Sequence, residues 1–252
     1  MIRLFLADID GCLAAPYEAY DLAGFRQFAE AGRRAETDPV YPRVGICSGR
    51  SYAYVEAVAQ ALDLRGPALF ESGGGRFDLQ TASIRWSPLL TPEVEDALGA
   101  VRSYFHRDLL PGSRLSFDYG KRAQVGVIGT DQDEIERCFA EVDRFVSAHH
   151  PSLIVHPTHV SIDVLPRALT KRVAVETVAE EEGLSIGEVA FIGDTQGDIG
   201  ALQAVGFSFA PQNATPATKA AARVVTEGAV LDGTLEAYRW CLRHNEAQAD
   251  AA

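Results

Sequence analysis

The sequence predicts an α/β fold: a doubly wound parallel sheet interrupted by an inserted α/β domain. Two observations carry that expectation. Short apolar runs (IRLFLA, RVGIC, VAFIG) each end abruptly in polar residues and lead toward helical patterns, as strands buried on both faces of a parallel sheet do. In mid-chain the style changes to helices alternating with paired strands.

The elements follow in order. IRLFLA stops at Asp8-Ile9-Asp10-Gly11, and RVGIC stops at Ser48-Gly49-Arg50 before the helical pattern SYAYVEAVAQAL. PALF, ending at Glu71-Ser72-Gly73-Gly74-Gly75, is a candidate fourth strand. Thr91-Pro92-Glu93 opens a helix with a capping hydroxyl and a first-turn proline. RLSFDY and AQVGVIGT read as paired strands. A second helix starts near Asp131, with Ile135, Cys138, Phe139, Val142, Phe145 and Val146 on one apolar face. SLIVH and VSIDVL read as a second strand pair. The insert, helix-strand-strand twice over, is expected at 82–166, between core segments 1–81 and 167–252, and the tail EAQADAA is expected to fray. VAFIG then ends at Asp194 before the helical DIGALQAV.

Composition narrows the function. The 252 residues are 47% hydrophobic, ample for a buried core. With 35 acids against 23 basic residues, a formal charge of -12 repels nucleic acid and anionic membrane, and no basic block offsets it locally. Cys12, Cys47, Cys138 and Cys241 are scattered without CxxC spacing, which fits reduced thiols in a cytoplasmic protein. The apolar stretches fall short of a membrane span, and the acids near the N-terminus do not suit a signal peptide.

In a doubly wound sheet, ligands bind beyond the carboxyl ends of the strands, where each of these polar clusters lies. Asp8 and Asp10, two apart on an extended segment, point to the same side, and Gly11 permits a sharp exit. The bland alternative is a pair of acids solvating a strand end. Gly193-Asp194-Thr195-Gln196-Gly197-Asp198 adds two more acids. Four converging carboxylates repel unless a cation sits among them, and hard oxygen donors suit magnesium; otherwise these acids simply cap the next helix. Ser48-Gly49-Arg50 offers a hydroxyl, a small residue and a helix start for a phosphate oxygen, or is an ordinary helix cap. Lys171, taken alone, reads as a solvated surface lysine. His149, His150, His156 and His159 match no zinc spacing, and Ser72-Gly73-Gly74-Gly75 matches neither a dinucleotide fingerprint nor a P-loop.

Taken together, LADIDGCL, GICSGR, LTKRVAV and FIGDTQGD, in that order, resemble the motifs of the haloacid dehalogenase superfamily of phosphohydrolases. The insert lies where the capped, Cof-like and sucrose-phosphate-phosphatase-like subgroup carries its cap, and APQNATPATKAAARVVTEGAVLDGTLE is similar to that subgroup's C-terminal stretch. The resemblance implies a Rossmann-like core and a magnesium-dependent phosphatase of a small phosphorylated metabolite, a sugar phosphate or an organic acid such as phosphoglycolate. It also implies roles. Asp8 attacks phosphorus, and Asp10 protonates the leaving group and then activates water. Mg2+ is held by Asp8, Asp194, the Asp10 carbonyl and, directly or through water, Asp198. Ser48, with Gly49, and Lys171 bind the phosphoryl group, and Arg50 and Asn213 are further candidates for substrate binding. Cys12, Gly197 and Ser72 depart from the usual pattern without removing any of these groups. The competing reading is a non-enzymatic phospho-acceptor, or a relative that only binds ligand.

Overall fold

The computed structural model describes residues 1–158 and 160–250. The chain opens with β1 (Leu4–Ala7), α1 (Leu22–Ala35), β2 (Arg43–Cys47), α2 (Tyr52–Ala61) and β3 (Ala68–Phe70). A hairpin of β4 (Gly75–Asp78) and β5 (Ser83–Trp86) follows. Next come α3 (Pro92–Tyr104), β6 (Ser116–Asp118), β7 (Val125–Ile128), α4 (Gln132–His149), β8 (Leu153–Pro157) and β9 (Ser161–Pro166). The chain closes with α5 (Lys171–Glu181), β10 (Val189–Ile192), α6 (Ile199–Ala204), β11 (Phe207–Ala210), α7 (Pro216–Ala221), β12 (Val224–Val225) and α8 (Val230–Ala249).

Two sheets organise these elements. The larger has the order β12-β11-β10-β1-β2-β3-β4-β5, parallel from β12 to β3 and antiparallel at the β4–β5 edge. β1 lies between β2 and β10, with Ala7 opposite both Ile46 and Ile192. The chain leaves β1 to one side and returns to the other, which makes the carboxyl end of β1 the topological switch point.

Burial on both faces explains the continuous apolar strands. Phe5 and Ala7 face a core with Phe25 and Phe28 of α1 and Leu235 and Tyr238 of α8, whereas Leu4 and Leu6 face Val175 and Val178 of α5 and Ala201 and Leu202 of α6. The Phe5 ring meets Tyr238 edge-on at 5.4 Å between centroids. Burying each of the larger aliphatic and phenylalanine side chains contributes roughly 1.5–3 kcal/mol. Asn245 of α8 clamps the sheet's entry, accepting from the Ile2 amide at 2.7 Å and donating to the Ile2 carbonyl at 2.8 Å.

The smaller sheet, β6-β7-β9-β8, is antiparallel throughout. One face packs Val125, Val127, Ile162 and Val164 under Leu98 and Val101 of α3 and Ile135, Cys138, Val142 and Val146 of α4. On the other face, register places Asp118, Gly126, Asp163 and His156 in one row.

Two expectations need adjusting. β5, within the segment assigned to the insert, pairs with β4 at the edge of the larger sheet. We therefore propose a division at 1–86, 87–166 and 167–252. The tail expected to fray is helical as far as Ala249, because α8 packs along its length as far as Asn245. Among the described residues, no helix is long and apolar enough to cross a membrane.

Cys12 is fully buried in the core beside Leu13, and burial holds its thiol protonated, well above the ordinary thiol range. Cys12→Ser is expected to keep most turnover while costing about 1–3 kcal/mol in a denaturant melt, the cost of an unpaired buried hydroxyl. Loss of activity in a folded variant would give the thiol a role it lacks here.

Candidate active site

Backbone geometry aims the first acid. The Asp8 amide donates to the Ile192 carbonyl at 3.1 Å, so the residue leaves β1 while still tied to β10. Its Oδ1 accepts from the Ile9 amide at 2.7 Å, and its Oδ2 accepts from Lys171 Nζ at 2.5 Å. The chain then folds into a tight loop in which the amides of Cys12, Leu13 and Ala14 converge on the Ile9 carbonyl. Gly11 is required in that loop: its φ is 72°, and a Cβ there would lie 2.0 Å from Asp194 Oδ2.

Lys171 is the first residue of α5, whose N-cap Thr170 accepts from the Val173 amide. At 6% exposure it is a buried lysine rather than a surface one, and its Nζ also donates to Asp198 Oδ1 at 2.6 Å. Burial opposes its charge, but the carboxylates of Asp198 and Asp8 outweigh that and hold the ammonium protonated well above the usual lysine range. The other oxygen of Asp198 accepts from the amides of Asp194 and Thr195 and from the Thr195 hydroxyl, which fixes the loop after β10.

Donor atoms of Asp8, Asp194 and Asp198 lie within 4.8 Å of one another, the one group of this kind among the described residues. With all three ionised, the carboxylates against one ammonium would leave two negative charges. Asp194 Oδ1 is buried without a hydrogen-bond partner. Burial, with Asp8 and Asp198 nearby, pushes Asp194 up to about 8. Burial likewise raises Asp8 to about 6, although Lys171 pulls it down. An orphaned oxygen in an electron-rich pocket of hard donors fits a divalent cation.

The remaining expected groups fall into different arrangements. Ser48 leaves β2 at the same sheet edge as Asp8 and is buried, its hydroxyl accepting from the Arg50 amide at 3.3 Å, with Gly49 beside it. The Asp10 side chain lies outside the carboxylate cluster: its two oxygens accept from Arg50 Nε and from a second guanidinium nitrogen, both at 2.6 Å. Arg50 is thus committed to Asp10, with its guanidinium over the rings of Tyr54 and Tyr17 at 4.7 and 5.4 Å. Asn213 is also occupied. Its Nδ2 donates to the Gly11 carbonyl at 2.9 Å and its Oδ1 accepts from the Val230 amide at 2.8 Å, so it braces the Asp8 loop. Thr234, which no sequence signal singles out, donates to the Cys12 carbonyl at 2.7 Å in the same loop.

Of the histidines, His149 and His150 lie with tilted rings beside Phe145 at the end of α4, His156 lies on β8, and His159 lies outside the described residues. Glu71 is the buried group that the sequence reading passed over. Its signal was an acid set between the buried Phe70 and a glycine-rich turn.

A carboxylate aimed from the end of β1, with a buried ammonium against it and a cation-fitting pocket beside it, is chemistry suited to the hydrolysis of anionic esters. Residues 113–237 match the family model for haloacid dehalogenase-like hydrolases. A phosphoglycolate phosphatase of Methanopyrus kandleri is 25% identical over 249 residues, 98% of this chain and 100% of that protein. A phosphoglycolate phosphatase of Pyrobaculum aerophilum is 37% identical over 87 residues, 34% of this chain and 38% of that protein's length. The sucrose-phosphatase of Synechocystis, solved with sucrose and phosphate, superposes with a TM-score of 0.68 at 13% identity, covering 96% of this chain and 98% of that one. The chain belongs to the haloacid dehalogenase-like hydrolases.

Proposed function

We propose that this haloacid dehalogenase-like phosphatase hydrolyses a small phosphorylated metabolite through a phosphoryl group carried on Asp8, with magnesium as its cation. The observation that carries this reading is Lys171, a buried ammonium joined to both Asp8 and Asp198. A buried charge of that kind is costly to a fold and is typical of a site that handles anions.

In the first step the Asp8 carboxylate attacks phosphorus, the bond from phosphorus to the leaving oxygen breaks, and Asp10 supplies the proton that oxygen needs. To do so, Asp10 must carry a proton and loosen from Arg50. In the second step water attacks phosphorus, Asp10 takes the water proton, and the bond to Asp8 breaks to release inorganic phosphate. Lys171 and Ser48 bind the phosphoryl oxygens throughout. Asp8 and Asp194 would hold the magnesium ion, with Asp198 joining directly or through water; when bound, the ion would offset the repulsion between carboxylate and phosphate. We place the leaving group against the polar row of the smaller sheet, the cap, where Lys121 pairs with Asp163 at 2.6 Å and His156 stands opposite Asp163. Phosphoglycolate and sugar phosphates are the candidate substrates, after the substrates that the relatives' names give.

Hydrolysis of p-nitrophenyl phosphate is expected only with magnesium present, followed by a phosphate-release screen of phosphorylated metabolites. A second readout is stability. Without metal, Asp8 at about 6 and Asp194 at about 8 hold protons in the folded chain beyond the ordinary value of 3.8, so stability falls as pH rises through that window. Magnesium competes with those protons and is expected to raise the melting temperature more near pH 8 than near pH 5. Equal shifts at both pH values, or none, would contradict the assigned cation site.

A further inference from the structure

The loop after β3 bends through three consecutive left-handed residues, Glu71 (φ 49°), Ser72 (φ 56°) and Gly73 (φ 96°). Holding glutamate and serine there costs energy that glycine would avoid. The strain turns a fully buried carboxylate toward the cap. Glu71 Oε2 accepts from the amides of Arg122, Ala123 and Gln124 at 3.1, 2.6 and 3.1 Å, and Oε1 accepts again from Arg122 at 3.2 Å. These three residues lie on the turn between β6 and β7. The fit is close, since a Cβ on Gly74 would stand 2.4 Å from the Ala123 Cβ.

The same loop reaches the catalytic end of the core. The Glu71 amide donates to the Arg50 carbonyl and the Ser72 amide to the Ser48 carbonyl, both at 2.9 Å. Gly73 lies so near α5 that a Cβ there would approach the Ala174 Cβ to 2.6 Å, three residues along the helix that begins at Lys171. One short segment therefore touches the cap turn, the Ser48 loop and the lysine helix.

We propose that Glu71 is a positioning residue: its carboxylate latches the β6–β7 turn of the cap onto the core and couples cap closure to the Ser48–Arg50 loop. The coupling rests on the phosphatase reading above, whereas the latch does not. The latch acts at the expense of the fold. Burial raises the Glu71 carboxyl to about 7 although the three amides and Lys121 pull it down. Its charge is thus tolerated for docking rather than as a source of global stability.

Glu71→Gln keeps the shape but removes the charge, and its amide nitrogen would oppose the Arg122 donor. Gly74→Ala pushes hardest on Ala123, 2.4 Å from the added Cβ, and less on Glu71, whose Cβ lies at 3.0 Å, and it leaves the charge of the carboxylate in place. Hydrogen exchange of the full chain is read together with p-nitrophenyl phosphate turnover in magnesium. In each variant, exchange at 122–124 is expected to quicken by about tenfold or more, while the buried amides of β1 and β10 keep their protection. kcat/KM is expected to fall by about fivefold or more, with the Glu71→Gln melting temperature unchanged or raised. Unchanged exchange at 122–124, exchange rising everywhere in step with lost stability, or unaltered kcat/KM would overturn the proposal. If Glu71→Gln fails to fold, the global-stability statement is wrong and the proposal falls with it. A wild-type chain with no turnover would instead refute the phosphatase reading, while the exchange data still decide the latch.

Discussion

Asp8→Asn is expected to lower turnover of p-nitrophenyl phosphate by at least about 10³-fold while the chain remains folded. The carboxamide can still accept from the Ile9 amide, as Asp8 Oδ1 does at 2.7 Å, so the loop keeps its anchor. Its other end presents an NH2 to Lys171, a donor facing a donor, but Lys171 retains Asp198 at 2.6 Å. An amide is a poor nucleophile toward phosphorus and has no negative charge to displace the leaving group. The metal-free chain loses an ionised group that burial disfavours, which offsets the weakened contact with Lys171. Its melting temperature should therefore move by only a few degrees. Rapid quenching with a phosphorylated substrate should trap a phosphoenzyme in the parent and none in Asp8→Asn. Turnover that survives the substitution would end the covalent mechanism.

Lys171→Met is the second large effect, and it separates stability from chemistry. Methionine fills similar space but leaves Asp8, Asp194 and Asp198 without the ammonium that two of them share. Turnover is expected to drop by about 10² to 10³-fold through the lost stabilisation of the phosphoryl oxygens. Without magnesium, stability near pH 8 should fall by about 3–5 kcal/mol, because removing one partner of a buried ion pair strands the others. The sign with pH follows from proton counting. Without Lys171 the folded carboxylates keep their protons to higher pH than the unfolded chain does, so stability is greatest in acid and declines as pH rises. Denaturant melts across pH, with and without magnesium, measure this. A deficit that is the same at every pH would mean that Lys171 does not balance these charges.

Much of the site can be read in the linear chain, for one physical reason. A strand buried on both faces must be apolar to its end, so acids, hydroxyls and glycines at once after IRLFLA, RVGIC and VAFIG mark the sheet edge where a ligand can reach them. That reasoning picked out Asp8, Ser48, Asp194 and Asp198. Lys171 became meaningful only in company with them, since a lysine at the start of a helix usually lies in water. β5 was harder. SIRW is largely exposed, with no apolar run to assign it to either sheet, and only its pairing with β4 decides the matter.

Side-chain partnerships were not legible at all. Arg50 and Asp10 are 40 positions apart, and Asn213 and Gly11 are 202 apart. On the sequence Arg50 and Asn213 are candidates for substrate binding; in the fold Arg50 holds the Asp10 carboxylate and Asn213 braces the loop after Asp8. Glu71 looked like the polar end of a short strand until the cap turn came down on it.

The sequence by itself determined the alternation of strand and helix, the order of the polar clusters and hence the edge of the sheet at which chemistry could occur, because hydrophobic periodicity and strand-end polarity are local properties. Only the tertiary structure decided which charges meet. Whether a carboxylate is a metal donor, a proton carrier held by arginine or a latch on the cap depends on burial and on partners brought within about 3 Å by the fold, and no local pattern encodes that distance.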